Sequence, residues 1–590
     1  MAALRPGLRD AAFRWIADDP DAGDRAELQR VLADAMAGST AAAAELAERM
    51  AGPLRFGTAG LRGVVRAGQN GMNTAVVLRT TAGLAAWLTR NGHRGGVVVV
   101  GRDARHRSER FCAAAAGVLA AAGFDVRVLP GPLPTPVTAF AVRRLNAVAG
   151  VQITASHNPP ADNGYKVYLD AGTQIVPPVD AEIEAEVAAA PAARSIPISD
   201  AWTALGEDIL ESYVDGAAAV ARGAAVTTDA AGAAAVANGP AAAWASGGPV
   251  APGVPPARAV ARPLRVVATP MHGVGGRTLR AALHRAGFTD LHEVPAQLEP
   301  DPDFPTVAFP NPEEPGAVDL LLSLAASTGA DLAIALDPDA DRCALGVPDA
   351  DGHWRMLRGD ETGVLLGQYV LATLDRRRHP DPLVATTIVS SSLLGAIARE
   401  HGARYDETLT GFKWIVRAGD GRGTGLVFGY EEALGLCVDP DVVRDKDGIS
   451  AAVLACDLAA TLKAAGRTLL DELDELAARH GVHLTEPVTV PLAEPGAAAM
   501  ARVRATLPAD LAGHPVRVED LLPRTDGVRL SGDNFRVVVR PSGTEPKLKA
   551  YLQVVEPVTD VLPAAQQRAA ARLAELRTAV TEMLGRPTCG

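Results

Sequence analysis

The chain reads Val-Ala-Gly-Val-Gln-Ile-Thr-Ala-Ser-His-Asn-Pro-Pro over residues 148–160. The apolar run at its start, residues 148–153, predicts a buried strand, and the turn-forming letters Asp-Asn-Gly follow at 162–164. We therefore expect Ser156 on a tight strand-to-loop junction, with its hydroxyl exposed and His157 beside it. A fixed backbone and an available hydroxyl are what an oxygen nucleophile needs. A plain turn with a satisfied hydroxyl is the alternative.

A second polar loop carries three acids at alternate positions. Asp337, Asp339 and Asp341 follow the apolar run Leu332–Leu336, and Arg342 comes next. Three carboxylates on one loop can converge on a hard cation such as Mg²⁺ and leave positions open for substrate or water. An EF-hand is excluded, because its sixth and twelfth positions need glycine and glutamate, and arginine and proline stand there. A solvated acidic turn is the alternative.

A third loop, near the C-terminus, concentrates cations and hydroxyls. It reads Arg-Pro-Ser-Gly-Thr-Glu-Pro-Lys-Leu-Lys over residues 540–549 and follows the strand-like run Phe535–Val539. Guanidinium, ammonium and hydroxyl groups, together with glycine amides, form a cradle for an anion such as phosphate. A basic surface turn is the alternative.

These three loops, in this order, resemble the active-site loops of the α-D-phosphohexomutase superfamily, the phosphoglucomutases and phosphomannomutases. Two further segments strengthen the resemblance. Phe-Gly-Thr-Ala-Gly-Leu-Arg-Gly at 56–63 looks like the N-terminal active-site loop, and Gly-Tyr-Glu-Glu-Ala-Leu-Gly at 429–435 looks like the sugar-recognition loop. The resemblance spans roughly residues 10–575, and five loops in family order are far more specific than any one of them.

The sugar-recognition loop is similar to that of the phosphoglucomutase-2 and phosphopentomutase branch, and so is Thr-Gly-Phe-Lys-Trp-Ile at 410–415. The phosphomannomutase/phosphoglucomutase branch usually has Gly-Glu-Met-Ser-Gly-His in the loop. Ala433 and Gly435 stand where that serine and histidine would be. The choice among glucose, mannose and pentose phosphates therefore stays open.

The resemblance implies a role for each matched residue. Ser156 would carry a phosphoryl group and return it through a sugar bisphosphate, and a bisphosphate such as glucose 1,6-bisphosphate would act as activator. Mg²⁺ would be held by the serine phosphate and by Asp337, Asp339 and Asp341. The other candidates for catalysis are Arg62, His157, Lys166, Arg342 and Lys413. The candidates for substrate binding are Glu431, Glu432, Arg540, Ser542, Gly543, Thr544 and Lys549.

The two lysines among the catalytic candidates, Lys166 and Lys413, are candidates for the general acid and base. A lysine close to a metal ion and to other cations can have a lowered pKa. A phosphate counter-ion without proton transfer is the alternative for both. His157 either hydrogen-bonds the phosphate or pins the loop, and the loop role is favoured.

Strand–helix–strand patterns recur three times, beginning at Gly96, Arg265 and Val384, and indicate parallel strands with crossover helices. From about residue 481 the pattern is richer in strands and ends in a helix over Ala564–Leu584. We expect an α/β protein with three related α/β domains, built on mixed sheets, and a C-terminal α+β domain. The expected bounds are 1–205 with the serine loop, 206–358 with the acid loop, 359–480 with the sugar loop and 481–590 with the phosphate loop.

Residues 217–262 are almost entirely alanine, glycine, proline and valine. Few large side chains are available there to offset the entropy of ordering. We expect a loosely ordered insertion that can be excised with little loss of activity; an alanine-rich helix is the alternative.

Composition restricts the class of partner. The net charge of -12 argues against nucleic acid, no uncharged apolar run reaches membrane-spanning length, and five scattered cysteines without a Cys-x-x-Cys pair fit a reducing compartment. We expect a cytoplasmic enzyme, monomer or homodimer, that acts on small-molecule sugar phosphates without nucleic-acid or membrane partners. A metal-dependent phosphatase and a non-catalytic sugar-phosphate sensor are the alternatives.

Overall fold

The computed structural model describes residues 4–57, 60–221, 262–492, 496–542 and 547–585. The chain divides into two compact units. The first unit comprises Met1–Cys343 and Asp439–Cys456, and the second comprises Ala344–Val438 and Asp457–Gly590. The first unit thus includes a segment that is distant in sequence from the rest of it. The four domain bounds expected from the sequence stay predictions.

The first unit begins with three helices and continues with alternating strands and helices. Its elements are α1 (Pro6–Asp18), α2 (Ala22–Met36), α3 (Thr40–Arg49), β1 (Leu61–Val64), α4 (Thr74–Arg90), β2 (Val97–Arg102), α5 (Ser108–Ala121), β3 (Asp125–Pro132), α6 (Thr135–Arg144), β4 (Ala149–Ile153), β5 (Asp162–Leu169), β6 (Thr173–Gln174), α7 (Val179–Ala189), β7 (Thr203–Ala204), α8 (Asp208–Ala218), β8 (Val266–Thr269), α9 (Gly276–Arg285), β9 (Leu291–Glu293), α10 (Asp319–Thr328) and β10 (Leu332–Leu336).

A mixed sheet in the first unit positions the serine loop. Its strands lie in the order β1-β5-β4-β2-β3-β7, and β6 pairs with β5. Strand β2 is parallel to β3 and β4, whereas β5 is antiparallel to β4 and β1. All five residues of β4 are buried, as expected for a central strand covered on both faces. Ser156 lies three residues beyond the end of this strand.

A second sheet of the same unit positions the acid loop. Strand β8 is parallel to both β9 and β10, and the acid loop begins at Asp337, directly after the fully buried β10. Loops at the carboxyl ends of neighbouring parallel strands meet at one edge of the sheet. Here the loop after β8 contacts the acid loop so closely that a Cβ at Gly273 would lie 2.3 Å from the Cα of Pro338.

The remaining elements follow from residue 343 onward, and α14 begins in the first unit. They are β11 (Cys343–Pro348), β12 (Trp354–Met356), α11 (Gly359–Thr373), β13 (Leu383–Thr387), α12 (Leu393–Glu400), β14 (Arg404–Thr408), α13 (Phe412–Ile415), β15 (Leu426–Glu431), β16 (Gly435–Cys437), α14 (Gly448–Ala464), α15 (Leu469–His480), β17 (Val482–Pro491), α16 (Gly496–Ala505), β18 (Asp510–Leu511), β19 (His514–Pro515), β20 (Arg517–Asp520), β21 (Val528–Gly532), β22 (Phe535–Pro541), β23 (Lys547–Glu556) and α17 (Leu562–Gly585).

The second unit contains a mixed sheet, a five-stranded antiparallel sheet and the short antiparallel pair β18–β19. In the mixed sheet β13 is parallel to β14 and β15, and β15 is antiparallel to β16. The antiparallel sheet has the strand order β17-β23-β22-β21-β20, and α17 covers it, burying Leu573, Leu576 and Val580. The expected fold class, with α/β domains followed by a C-terminal α+β domain, is confirmed.

Two expectations from the sequence, the insertion over 217–262 and the lack of a membrane-spanning run, can be compared only with the described residues. Residues 217 and 218 are the buried last residues of α8, so the insertion expected over 217–262 begins later than its composition indicates, and residues 222–261 lie outside the described part of the chain. Among the described residues, no single helix is both long and apolar enough to span a membrane. Only α14 and α15, counted together across a sharp bend, reach that length and composition.

Candidate active site

Ser156 lies in a constrained and enclosed position. Its side chain is fully buried, which corrects the expectation of an exposed hydroxyl: the acid loop of the same unit covers it. The hydroxyl donates a hydrogen bond to Oδ2 of Asp337 (2.8 Å) and accepts one from Nη1 of Arg342 (2.9 Å). The backbone of Ser156 has a φ of 55°, a conformation that costs a non-glycine residue about 1 kcal/mol or more. Strain of this kind concentrates at functional sites.

The three aspartates of the acid loop form a buried cluster. Asp337, Asp339 and Asp341 are fully withdrawn from solvent, and their ligand atoms lie within 4.8 Å of one another. The solvated acidic turn is therefore wrong. Within the described part of the chain, Oδ1 of Asp339 and Oδ1 of Asp341 have no hydrogen-bond partner, and leaving a buried carboxylate oxygen unpaired is costly. A hard divalent cation such as Mg²⁺ fits this set of oxygens.

Two buried lysines contact the cluster. Nζ of Lys166 lies 2.7 Å from Oδ2 of Asp339 and 2.8 Å from Oδ2 of Asp341, and Nζ of Lys446 lies 2.7 Å from the same oxygen of Asp341. Lys446 was not among the residues expected from the sequence. The charged run Arg-Asp-Lys-Asp-Gly at 444–448, directly before α14, is the signal that could have found it.

The Lys446 loop is itself anchored by buried groups. The carboxylate of Asp445 accepts hydrogen bonds from the hydroxyl of Tyr168 (3.0 Å) and the amide of Gln174 (2.7 Å). The carboxylate of Asp447 accepts one from the hydroxyl of Tyr213 (2.7 Å). These contacts explain why a segment distant in sequence belongs to the first unit.

The surroundings shift the pKa values of the three aspartates in opposite directions. Burial, assisted by Asp339 and Asp341, raises the pKa of Asp337 to about 7. Burial also favours the neutral form of Asp341, but Lys166, Lys446 and Arg342 outweigh it and hold the pKa of Asp341 well below its usual range. The pKa of Asp339 is likewise lowered, because the two lysines outweigh burial and the repulsion from Asp341.

The structure contradicts the expectation that the pKa of Lys166 is lowered. Burial alone would lower it, but the carboxylates of Asp339 and Asp341 outweigh burial and raise the pKa. Lys166 is therefore a charged partner of the acid loop. Acting as a proton donor would require a change in those two contacts.

Arg342 and His157 form one contact at the nucleophile. Nη1 of Arg342 lies 2.6 Å from Nδ1 of His157. Burial, followed by the charges of Arg342 and Arg62, holds the pKa of His157 well below its usual value, so the imidazole is neutral and Nδ1 accepts the hydrogen bond. This contact agrees with the loop-pinning role favoured for His157.

Arg62 is a further cation near the aspartate cluster. Its Nη1 donates to Oδ1 of Asn158 (3.1 Å), whereas its buried Nε and Nη2 have no hydrogen-bond partner among the residues that the structure describes. Burial and the charge of Arg342 lower the pKa of the Arg62 guanidinium. The carboxylates of Asp339 and Asp341 oppose this shift only in part. Buried guanidinium N–H groups on a residue that contacts the serine loop at Asn158 are suited to the oxygens of a phosphoryl group.

In the second unit, residues 429–435 form the loop expected to recognise sugar, and Glu432 of this loop is hydrogen-bonded by hydroxyl groups. Oε2 of Glu432 accepts hydrogen bonds from the hydroxyls of Thr387 (3.0 Å) and Ser390 (2.8 Å). Burial, with repulsion from Glu431 and Asp360, raises the pKa of Glu432 to about 7. Glu431 is the half-buried last residue of β15, and Lys413 is a buried residue of α13.

The C-terminal loop places two cations opposite each other. Arg540 on β22 pairs in register with Lys549 on β23, and the amide of Ser542 donates to the carbonyl of Lys547 (2.8 Å). Nε of Arg540 is buried and has no hydrogen-bond partner among the described residues, which omit 543–546 of this loop. Like charges directly opposite each other destabilise a strand pair, and an anion would relieve this repulsion. Gly543 and Thr544 lie outside the described residues.

Comparisons with known proteins identify the family of the chain. Models of the phosphoglucomutase/phosphomannomutase family match along the chain: α/β/α domain I at residues 53–194, α/β/α domain II at 253–352, α/β/α domain III at 358–480 and the C-terminal domain at 488–559. The chain therefore belongs to the phosphoglucomutase/phosphomannomutase family, and it is a phosphomutase, an enzyme of the isomerase class.

Individual relatives carry different names. A Haemophilus influenzae protein named "Probable phosphomannomutase" is 38% identical over 497 residues, covering 82% of this chain and 93% of the relative. The phosphopentomutase of Homo sapiens is 34% identical over 464 residues, covering 75% and 71%. The crystal structure of a phosphoglucomutase/phosphomannomutase family protein from Burkholderia thailandensis superposes with a TM-score of 0.65 at 20% identity, covering 90% and 98%, which supports the fold.

Proposed function

We propose that the protein moves phosphate between C1 and C6 of a hexose, glucose or mannose phosphate, through phosphoserine 156 and a sugar bisphosphate. The observation that carries the proposal is the hydroxyl of Ser156 held between Asp337 and Arg342, with Arg62 bound to Asn158 of the same loop. Phosphoryl transfer needs alignment, positive charge around the phosphoryl oxygens and management of one proton. These residues supply the first two.

In the first half-reaction the bond between phosphorus and Oγ of Ser156 breaks while a bond to the free sugar hydroxyl forms. The proton of that hydroxyl leaves to a base of the site. Lys413 is the candidate for this base, because Asp339 and Asp341 raise the pKa of Lys166 and keep it charged. Oγ of Ser156 takes up a proton as it leaves. The bisphosphate then presents its other phosphate, and Oγ of Ser156 gives up that proton and bonds to the phosphorus while the bond from phosphorus to the sugar oxygen breaks and the sugar oxygen takes up a proton. The protein recovers its phosphoserine, and the sugar leaves with its phosphate moved.

Asp337, Asp339 and Asp341 would hold Mg²⁺ together with an oxygen of the serine phosphate. When bound, the ion supplies positive charge that stabilises the transferring group. Arg342 steers the phosphoryl group from the position it already holds at Oγ of Ser156. In the second unit Arg540 and Lys549, with Ser542, bind the phosphate that is not being transferred, and Glu431 and Glu432 bind sugar hydroxyls.

A pentose phosphate, with transfer between C1 and C5, is the second candidate substrate. It is favoured by Ala433 and Gly435 in the sugar loop and by the name of the human relative. A panel assay with glucose 1-phosphate, mannose 1-phosphate and ribose 1-phosphate separates the two. We expect kcat/KM for one hexose to exceed that for ribose 1-phosphate, and the reverse order would replace the first proposal with the second.

Intact-mass spectrometry tests the phosphoserine itself. The protein incubated with glucose 1,6-bisphosphate should gain the mass of one phosphoryl group, located at Ser156 by peptide mapping. A phosphatase would lose this group to water without added sugar phosphate, and a sensor would never gain it.

A further inference from the structure

Arg105 is a buried residue that hydrogen-bonds to the backbone of the serine loop, residues 156–162. It ends the run Gly-Arg-Asp-Ala-Arg at 101–105, just after β2, and its side chain is 1% exposed. The two terminal nitrogens of its guanidinium donate to four backbone carbonyls of one loop. The bonds are Nη2 to Ser156 O (2.7 Å) and Asn158 O (2.6 Å), and Nη1 to Pro159 O (2.8 Å) and Asp162 O (3.1 Å).

The guanidinium is held from its other sides as well. Oδ2 of Asp103 lies 3.5 Å from Nε of Arg105, while Oδ1 of Asp103 accepts from the hydroxyl of Ser108 (2.5 Å) and the amide of Arg105 (3.0 Å). The ring of Phe304 lies 5.0 Å from Cζ of Arg105, in cation–π geometry. Arg105 is therefore fixed before any substrate arrives.

These four hydrogen bonds from Arg105 stabilise the unusual backbone conformation of Ser156. Ser156 has a φ of 55°, which residues other than glycine seldom adopt, and four carbonyl dipoles point at one place. Without a cation those dipoles would repel one another. A planar guanidinium suits them because its donors are arranged in a fixed fork, whereas the ammonium of lysine is a single point of charge.

We propose that Arg105 is a positioning residue of the phosphoryl transfer: by drawing the carbonyls of residues 156–162 onto one guanidinium, it holds Oγ of Ser156 in line with the transferring phosphorus. Both terminal nitrogens of Arg105 are engaged by the protein, so it acts through the loop and not on the substrate. The inference rests on the proposed phosphoserine function.

The test compares Arg105→Ala and Arg105→Lys with Arg127→Ala, which removes an arginine on β3 that pairs with the partly exposed Asp125. A nucleophile misplaced by about 1 Å costs about 100-fold in rate, so Arg105→Ala should lower kcat by about that factor. KM should change less than about threefold, because no substrate contact is lost. Millimolar guanidinium chloride should restore kcat of Arg105→Ala by about tenfold or more, whereas equal sodium chloride should not.

Arg105→Lys keeps the positive charge. It therefore tests the proposal even if Arg105→Ala does not fold. It should unfold cooperatively and still show kcat reduced by about tenfold. Wild-type kcat in Arg105→Lys, or Arg105→Ala within about threefold of wild type, would overturn the proposal. So would a loss of kcat in folded Arg105→Ala that guanidinium leaves unchanged.

Hydrogen exchange separates this inference from the proposed function. The amides of residues 155–163 should exchange faster in Arg105→Lys than in wild type or Arg127→Ala, whether or not the protein turns over a sugar phosphate. If wild type shows no mutase activity and no phosphoserine, the proposed function fails. If the loop exchanges at the wild-type rate in the variant, the role of Arg105 fails.

Discussion

Asp341 in the first unit is fully buried and Glu432 in the second is half-buried, and the partners of the two carboxyl groups differ in kind. Asp341 faces the ammonium groups of Lys166 and Lys446, and its pKa is held well below its usual range. Glu432 faces two hydroxyls and no ammonium or guanidinium group among its hydrogen-bond partners in the described chain. Burial therefore raises its pKa to about 7.

The comparison shows that burial alone does not decide whether a carboxyl group is charged. The charged groups in contact with it decide whether burial is outweighed. The two aspartates with lowered pKa values, Asp339 and Asp341, suit a divalent cation, whereas a carboxyl group such as that of Glu432, which titrates near neutrality, suits sugar hydroxyls. Changes in the first unit should therefore act mainly on kcat. Changes in the second should act on substrate binding and on pH dependence.

The largest effect is expected from Ser156→Ala. The change removes only the hydroxyl that carries the phosphoryl group, so mutase turnover should fall by at least ~10⁴-fold, as when other covalent nucleophiles are removed. A coupled assay measures the loss, and an unchanged thermal unfolding midpoint shows that the fold is kept. Turnover like that of the wild type would contradict the mechanism.

Chelation should come next. The acid loop offers only oxygen ligands, which suit Mg²⁺ better than zinc, and the charge of a bound ion contributes several kcal/mol to the transition state. EDTA should lower kcat by about 10³-fold. Added Mg²⁺ should restore it, and Zn²⁺ should restore only part. Full activity after exhaustive chelation would reject the acid loop as a metal site.

Arg540→Ala tests the second unit. Loss of a charge-assisted hydrogen bond worth about 1.5–3 kcal/mol should lower kcat/KM by roughly 10–100-fold. KM for the monophosphate should rise and kcat should also fall, because the remote phosphate helps to hold the sugar for transfer. Arg524→Ala, which removes an exposed arginine of the same unit, is the control. Both constants within about twofold of wild type would show that Arg540 does not bind phosphate.

Lys446→Met tests the pairing in the acid cluster. With EDTA present the variant leaves Asp341 with one ammonium partner instead of two, and the free energy of unfolding should fall by about 1.5–3 kcal/mol. With saturating Mg²⁺ the loss should shrink, because the ion compensates the same carboxylates. Lys463→Met, which removes an exposed lysine on α14, should change neither value. A loss that is equal with and without Mg²⁺ would contradict this account of the cluster.

The smallest effect is expected from Glu432→Gln. The folded protein holds the proton of Glu432 more tightly than the unfolded chain does, since the pKa rises from 4.5 to about 7. The stability contributed by the neutral carboxyl is present below pH 4.5 and is lost as the pH rises through about 7. The carboxyl is only half-buried, so we expect a loss on the order of 1–2 kcal/mol in urea unfolding. Glu432→Gln should flatten this part of the profile, and an unchanged profile would assign the titration to another group.

Much of the fold and of the site could be predicted from the sequence, because the relevant signals are local. Apolar runs such as residues 148–153 and 332–336 predict strands by their own composition, and β4 and β10 lie there. Nucleophile, acids and cations stand in short loops after such strands. The helix expected over Ala564–Leu584 is α17, within two residues at each end.

The tertiary structure alone decided the environment of these groups. It covered the hydroxyl of Ser156, brought Lys446 to an acid loop about a hundred residues away and placed Arg105 beneath the nucleophile. It also reversed the direction expected for the pKa of Lys166. The physical reason is that a residue type and its local pattern are properties of the chain, whereas burial and pKa depend on all charges and dipoles that folding brings within a few ångströms.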